Sequence, residues 1–342
     1  MEGFPFEPLS RLDYHNITNT VPGNTSKGRE FCMLCLMNLK PSGIRLCGAT
    51  LMAVVALLVV LPRVGYAEEP KDLAAYQWLD VDGKPLPFQD HAAILEALRS
   101  ATIISREKIG RGVAGAEKLV LETGSTRFHA AFRSVDISTR PPPTGGTAKP
   151  TMKYRDAAIF ECAAYELSEL LGVGRVPPAV ARRVGDQDGS VQIWMEGTAP
   201  EVVLVERGEL QPPDRERWHQ QKQIMYVFDT LIANTDRNQG NLLIDDRWNI
   251  WLIDHTRAFR RTEELLYAKR LSTCERGMWT ALRQIDEDTL TQRLEPYLER
   301  AEIVSLLRRR ANLIRHFEKV IKKSGENAVL YDLRPPAPES AQ

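Results

Sequence analysis

The stretch Asn234-Thr235-Asp236-Arg237-Asn238-Gln239-Gly240-Asn241 decides how this chain is read. It follows a segment, His219 to Asn234, in which Ile224, Val227, Phe228, Leu231 and Ile232 recur at helical spacing and predict a well-buried helix. After it come strand-like Leu242 to Ile244, a turn at Asp245-Asp246, and a second expected strand from Trp248 to Ile253. Paired strands of this length return the chain to its origin, so Asp254 is expected beside Asn241. One carboxylate, one amide and a second carboxylate then converge at the end of a helix.

Taken singly, these residues are ordinary: Asp236-Arg237-Asn238 reads equally well as a solvated turn, and Asp254 as a cap on the segment that follows. Their joint spacing after a helix and across a hairpin points instead to phosphoryl transfer. That chemistry needs a carboxylate to orient and deprotonate an attacking hydroxyl, and oxygen ligands that hold Mg²⁺ against the nucleotide phosphates. Asp236 is the expected base, and Asn241 and Asp254 are the expected metal ligands.

Upstream, His91 to Ser100 predicts a helix, and Lys118 to Glu122 and Arg127 to Val135 predict a hairpin around the Thr-Gly-Ser turn at 123 to 125. The Pro- and Gly-rich run from Pro141 to Pro150 is expected to be a surface loop. Arg155 to Leu171 predicts a helix stopped by Gly172 and Gly174, followed by strands at Val180 to Val184 and Val191 to Met195. Beyond Thr256 the pattern is helical, ending in a helix from about Ala301 to Lys323 with Leu313, Phe317 and Ile321 on one face and Gly325 as its stop. Strands first and helices second predict an α+β fold of two lobes, one spanning 68–197 and the other 198–330, with residues 331–342 as a disordered tail.

Phe228-Asp229-Thr230-Leu231-Ile232, Asp236-Arg237-Asn238 and Ile253-Asp254-His255 resemble the catalytic region of atypical kinases: the secretory-pathway (Golgi casein kinase) family, the phosphatidylinositol 3- and 4-kinases, and HipA-type kinases. Glu161-Cys162-Ala163-Ala164-Tyr165-Glu166-Leu167 and Leu171 to Pro178 resemble the secretory kinases' regulatory helix and the strand after it, so the likeness spans about residues 102 to 260. The resemblance implies a bilobal protein-kinase-like fold, with a strand-rich N-lobe and a mainly helical C-lobe. It implies ATP and Mg²⁺ as cofactors and a hydroxyl acceptor on a protein, lipid or small molecule. It also implies that Glu161 pairs with a nucleotide-binding lysine, and that Gly110, Gly112 and Gly115 in Ile109 to Gly115 cover the phosphates. The sequence departs from the pattern at that lysine, where the strand Phe128 to Arg133 offers Arg133; Lys118 is the reserve candidate. An arginine fork does not substitute simply for an ammonium, which leaves an exported pseudokinase as an alternative. An aminoglycoside-kinase-like phosphotransferase is a further alternative, although those enzymes begin this loop His-Gly-Asp where this chain has Asn-Thr-Asp. His255, beside an expected metal ligand, is kept outside the catalytic set.

The 342 residues carry 45 basic and 45 acidic side chains, and no basic block calls for nucleic acid. The apolar run Leu46 to Leu61, between Lys40 and Arg45 on one side and Gly65-Tyr66-Ala67 on the other, reads as a signal peptide or anchor over 37–67 with cleavage after Ala67. Residues 1–36 are an extension of uncertain status. If the segment stays uncleaved, membrane contact runs through residues 44–61. Cleavage removes Cys32, Cys35 and Cys47, leaving Cys162 and Cys274, too few for a disulfide scaffold. The expected location is therefore exported, in a bacterial periplasm or outside the cell.

Overall fold

The computed structural model describes residues 76–109, 115–139 and 154–336. The expected signal segment, Gly110, Gly112 and the Pro-rich run 141–150 lie outside the described residues. Among the described residues no helix is long and apolar enough to cross a membrane.

Helix α1 (His91–Ser100) starts on Asp90, whose side chain accepts from the Ala93 N–H and so satisfies one of the free donors of the first turn. It lies on a five-stranded antiparallel sheet built from β1 (Thr102–Lys108), β2 (Glu117–Thr123), β3 (Thr126–Arg133), β6 (Ala179–Val184) and β7 (Gln187–Ile193), in the order β1-β2-β3-β7-β6. Ile94 and Leu98 of the helix meet Leu119, Leu121, Phe128, Val180 and Val191 in one apolar core. Between β3 and β6 the chain forms a second hairpin, β4 (Asp136–Thr139) with β5 (Tyr154–Ala157), and then α2 (Phe160–Leu170).

The second half is helical around a larger core. A short β8 (Ala199–Pro200) and α3 (Glu201–Glu206) lead to α4 (Arg215–Leu231), capped by Asp214. The hairpin of β9 (Leu242–Ile244) and β10 (Ile250–Leu252) follows, then β11 (Cys274–Glu275), α5 (Arg276–Gln284), α6 (Glu287–Leu294), α7 (Arg300–Ser324), α8 (Glu326–Val329) and β12 (Leu330–Tyr331). Val227, Phe228 and Leu231 of α4 meet Leu306, Leu313 and Phe317 of α7 there, and α2 contributes Phe160, Ala163 and Leu167. Fully burying side chains of this size contributes about 1.5–3 kcal/mol each.

Four sequence expectations shift. The helix expected over 155–171 opens as strand β5, because the Ala157 N–H donates to Thr256 O and Arg155 reaches Glu302. The strand expected over 248–253 shortens, because the Asp245 carboxylate accepts from the Arg247 and Asn249 N–H groups and draws Trp248 into the turn at φ 60°. The stretch after Thr256 stays largely irregular until α5. Tyr331, expected in the tail, is held in place: it pairs with Glu275, and its hydroxyl donates to Gln220 O.

Candidate active site

Helix α4 delivers the chain to a loop that reverses at Ala233, a non-glycine residue at φ 49°. Asn234 is fully buried; its amide donates to Asp229 and its Oδ1 accepts the Asp236 N–H. That pair of bonds fixes where Asp236 leaves the loop. Its carboxylate is about one-third exposed and accepts from Arg257 at 3.2 Å. The Asn241 amide donates to Asp236 O at 3.0 Å, which leaves Oδ1 as the amide's acceptor. Across the hairpin, Leu252 pairs with Leu242 and the Ile253 N–H donates to Asn241 O, so Asp254 emerges beside the loop at φ 59°. Left-handed backbone at Ala233 and Asp254 costs of order 1 kcal/mol or more at each, and it is held by the surrounding bonds.

The structure thus brings Asp236, Asn241 and Asp254 together. It also brings Arg133, at the end of β3, to 3.7 Å from Glu161 of α2. Lys118 lies elsewhere, over the Trp194 ring at 4.5 Å and 3.9 Å from Glu196. Gly115, the described member of the glycine loop, is exposed at φ 59°, on a loop whose ends are joined by the Ile109 N–H to Ala116 O bond between β1 and β2.

Three residues outside the expected set organise the site. The Arg237 side chain is 3% exposed and makes a two-pronged pair with the buried Asp229, at 2.8 and 3.1 Å. The same guanidinium donates to Asn241 O, Ile253 O and His255 Nε2. Because a guanidinium cannot accept, Nε2 is the acceptor and Nδ1 carries the proton given to Glu161, which also accepts the His255 N–H, both at 2.9 Å. A buried polar chain therefore runs Asp229–Arg237–His255–Glu161–Arg133, from α4 to the sheet. Sequence offered one signal for it: Asp229 falls on the buried face of a helix, and a buried carboxylate demands a partner.

Burial alone would push the Glu161 carboxyl up, but Arg133 and His255 outweigh it and hold it down at about 2. Asp254 moves the other way. Burial, helped by Glu161 and Asp236, raises it above the usual range against the pull of Arg133. It is an acid short of positive charge.

A divalent cation fits that deficit. Among the described residues no three His, Cys, Asp or Glu side chains converge on one point, so Asp254 and Asn241 Oδ1 would be the protein ligands, with phosphate and water supplying the rest. A phosphate fits as well, since Arg133 Nε and Nη1 are buried and have no hydrogen-bond partner.

No family model and no curated protein matches the chain. Solved structures do. A hydra Fam20 structure with sugar is 16% identical at TM-score 0.52, covering 70% of this chain and 91% of its own. Two Golgi casein kinase structures, one with Mn and ADP bound, are each 15% identical at TM-scores of 0.52 and 0.51, covering 73% of this chain and 80% of theirs. This chain has their kinase-like fold. The strand-rich N-terminal region and the helical C-terminal region follow that layout, as the sequence pattern predicts.

Proposed function

We propose that the protein is an ATP- and Mg²⁺-dependent phosphotransferase that moves a γ-phosphoryl group to a hydroxyl acceptor. The observation that carries the reading is the convergence of Asp236, Asn241 and Asp254 on one loop and hairpin, opposite a buried arginine with unmet donors. Asp236 accepts the proton of the acceptor hydroxyl as its oxygen bonds to the γ-phosphorus and the bond to ADP breaks. Arg257 holds the Asp236 carboxylate from one side while its Nε holds Asp156. Asn241 and Asp254 hold the cation, which when bound offsets phosphate charge. Arg133 directs Nη1 to a phosphate oxygen, and Glu161, 3.7 Å from Nε, keeps its guanidinium in place.

A second reading, a nucleotide-binding pseudokinase, is favoured by one observation. Both Glu161 oxygens bond to His255 at 2.9 Å, while Arg133 stands at 3.7 Å, farther than in a tight pair. The fold neighbour with Mn and ADP bound is compatible with either reading. The neighbour named as a Golgi kinase is compatible with an exported protein.

ATP turnover by the full chain with Mg²⁺ separates them. Turnover abolished by Asp236→Ala supports the phosphotransferase. A nucleotide-induced rise in melting temperature without turnover supports the pseudokinase, and absence of both refutes the site.

A further inference from the structure

A cavity of about 1100 Å³ lies along the outer side of α4, and none of its lining residues belongs to the site above. Arg215, Trp218, His219, Lys222, Gln223 and Tyr226 reach it at helical spacing, so they share one face of α4. The loop Leu210-Gln211-Pro212-Pro213 closes one end and Arg270 with Ser272 the other.

Three features define an occupant. The first is charge: no Asp or Glu lines the cavity. Lys222 is neutralised by Glu201 at 2.7 Å, whereas Arg215 and Arg270 are exposed and enter no ion pair among the described residues. The second is a fixed posture of cations and rings, with Lys222 over Trp218 at 5.1 Å and Arg270 over Tyr226 at 5.0 Å while donating to its hydroxyl. The third is an unmet need: Gln223 is 4% exposed, and its Oε1 accepts no hydrogen bond. A buried amide oxygen in that state costs about 1–3 kcal/mol, which a ligand N–H at the cavity floor relieves.

We propose that this groove is a docking site for an extended, acidic peptide segment of a partner protein. Carboxylates meet Arg215 and Arg270, and a peptide N–H meets Gln223. From Arg215 to Tyr226 the helix rises about 16 Å. An extended peptide covers that span with about five residues. The Tyr226 end of the groove is tied to the active-site loop, because Tyr226 contacts Tyr267, whose hydroxyl donates to Asn234 O. A docked partner is thus held next to the segment that positions Asp236.

The test is fluorescence anisotropy of a labelled Asp/Glu-rich octapeptide with the full chain, without nucleotide, so that its result stands apart from that of the phosphotransfer assay. Binding is expected, weakening with salt, falling at least tenfold in Arg215→Glu/Arg270→Glu and severalfold in Gln223→Leu. Gln223→Leu removes a costly orphan acceptor, so its melting temperature is expected to hold or rise while affinity falls; a merely structural glutamine would lower both. The proposal is overturned if the octapeptide fails to bind at low salt, or if the charge-reversed variant binds it equally. It is also overturned if a sulfated oligosaccharide binds as tightly as the peptide and is indifferent to Gln223→Leu, which marks a general polyanion patch.

Discussion

Arg237→Met is expected to destabilise the protein more than any other single change in the loop. The substitution leaves Asp229, fully buried, with Asn234 as its remaining side-chain donor, and it strips a donor from Asn241 O, which keeps the Ile253 N–H, and orphans Ile253 O and His255 Nε2. Removing one partner of a buried ion pair costs about 3–5 kcal/mol, because the other charge stays behind in low dielectric. Each orphaned acceptor adds on the order of 1 kcal/mol. The sum is about 5–7 kcal/mol, which for a chain of this size lowers the melting temperature by roughly 10 °C or more. Differential scanning calorimetry of the full chain measures it. The decisive comparison is Asp229→Leu/Arg237→Met, which removes both charges. If the cost is mostly the stranded carboxylate, the double variant is more stable than Arg237→Met alone, with a coupling of at least about 2 kcal/mol. Additive effects, or a shift under 2 °C in the single variant, refute the claim that Arg237 pins the site.

Glu161, held at about 2 when folded, lies below its ordinary value of about 4.3, so its ionised form stabilises the protein fully above that ordinary value. The contribution is lost as pH falls toward 2, and Glu161→Gln is expected to flatten the acid limb of a stability-versus-pH curve in that window. Arg309, fully buried and donating to Leu231 O, Arg260 O and Thr262 O, staples α7 to both ends of the active-site segment. Arg309→Met is expected to cost about 3 kcal/mol and to speed proteolysis near residue 261. With ADP and Mn²⁺ at about 100 times the dissociation constant, the folded state gains about 2.7 kcal/mol. Arg133→Met is expected to lose most of the corresponding thermal shift and Arg133→Lys to keep more of it; equal shifts in all three proteins would remove Arg133 from the site.

The fold was legible where local signals agreed. The helix expected over His91 to Ser100, the Thr-Gly-Ser turn between β2 and β3, and Gly325 after α7 each place a boundary within a residue or two of the one found. It was misread where distant groups overrode local pattern. Residues 154–157 have helix-compatible composition, yet Thr256 O and Glu302, far away along the chain, draw them into an extended strand. The start of α4 was missed by four residues, although Asp214 after Pro212-Pro213 is a recognisable cap. At the site, Asp236, Asn241 and Asp254 could be proposed together because a short hairpin fixes their mutual position. His255 and Arg237 could not, since their roles depend on Glu161 and Asp229, which reach them only through the packing of α2 and α4.

The division of labour between the two acids is the centre of this account, and calorimetric titration of Mn²⁺ into the ADP-loaded full chain tests it most directly. The expected result is that Asp254→Ala weakens Mn²⁺ binding at least tenfold, while Asp236→Ala, which removes the proton acceptor and no cation ligand, binds Mn²⁺ as the parent protein does. Equal loss in both variants, or undiminished binding in Asp254→Ala, contradicts it.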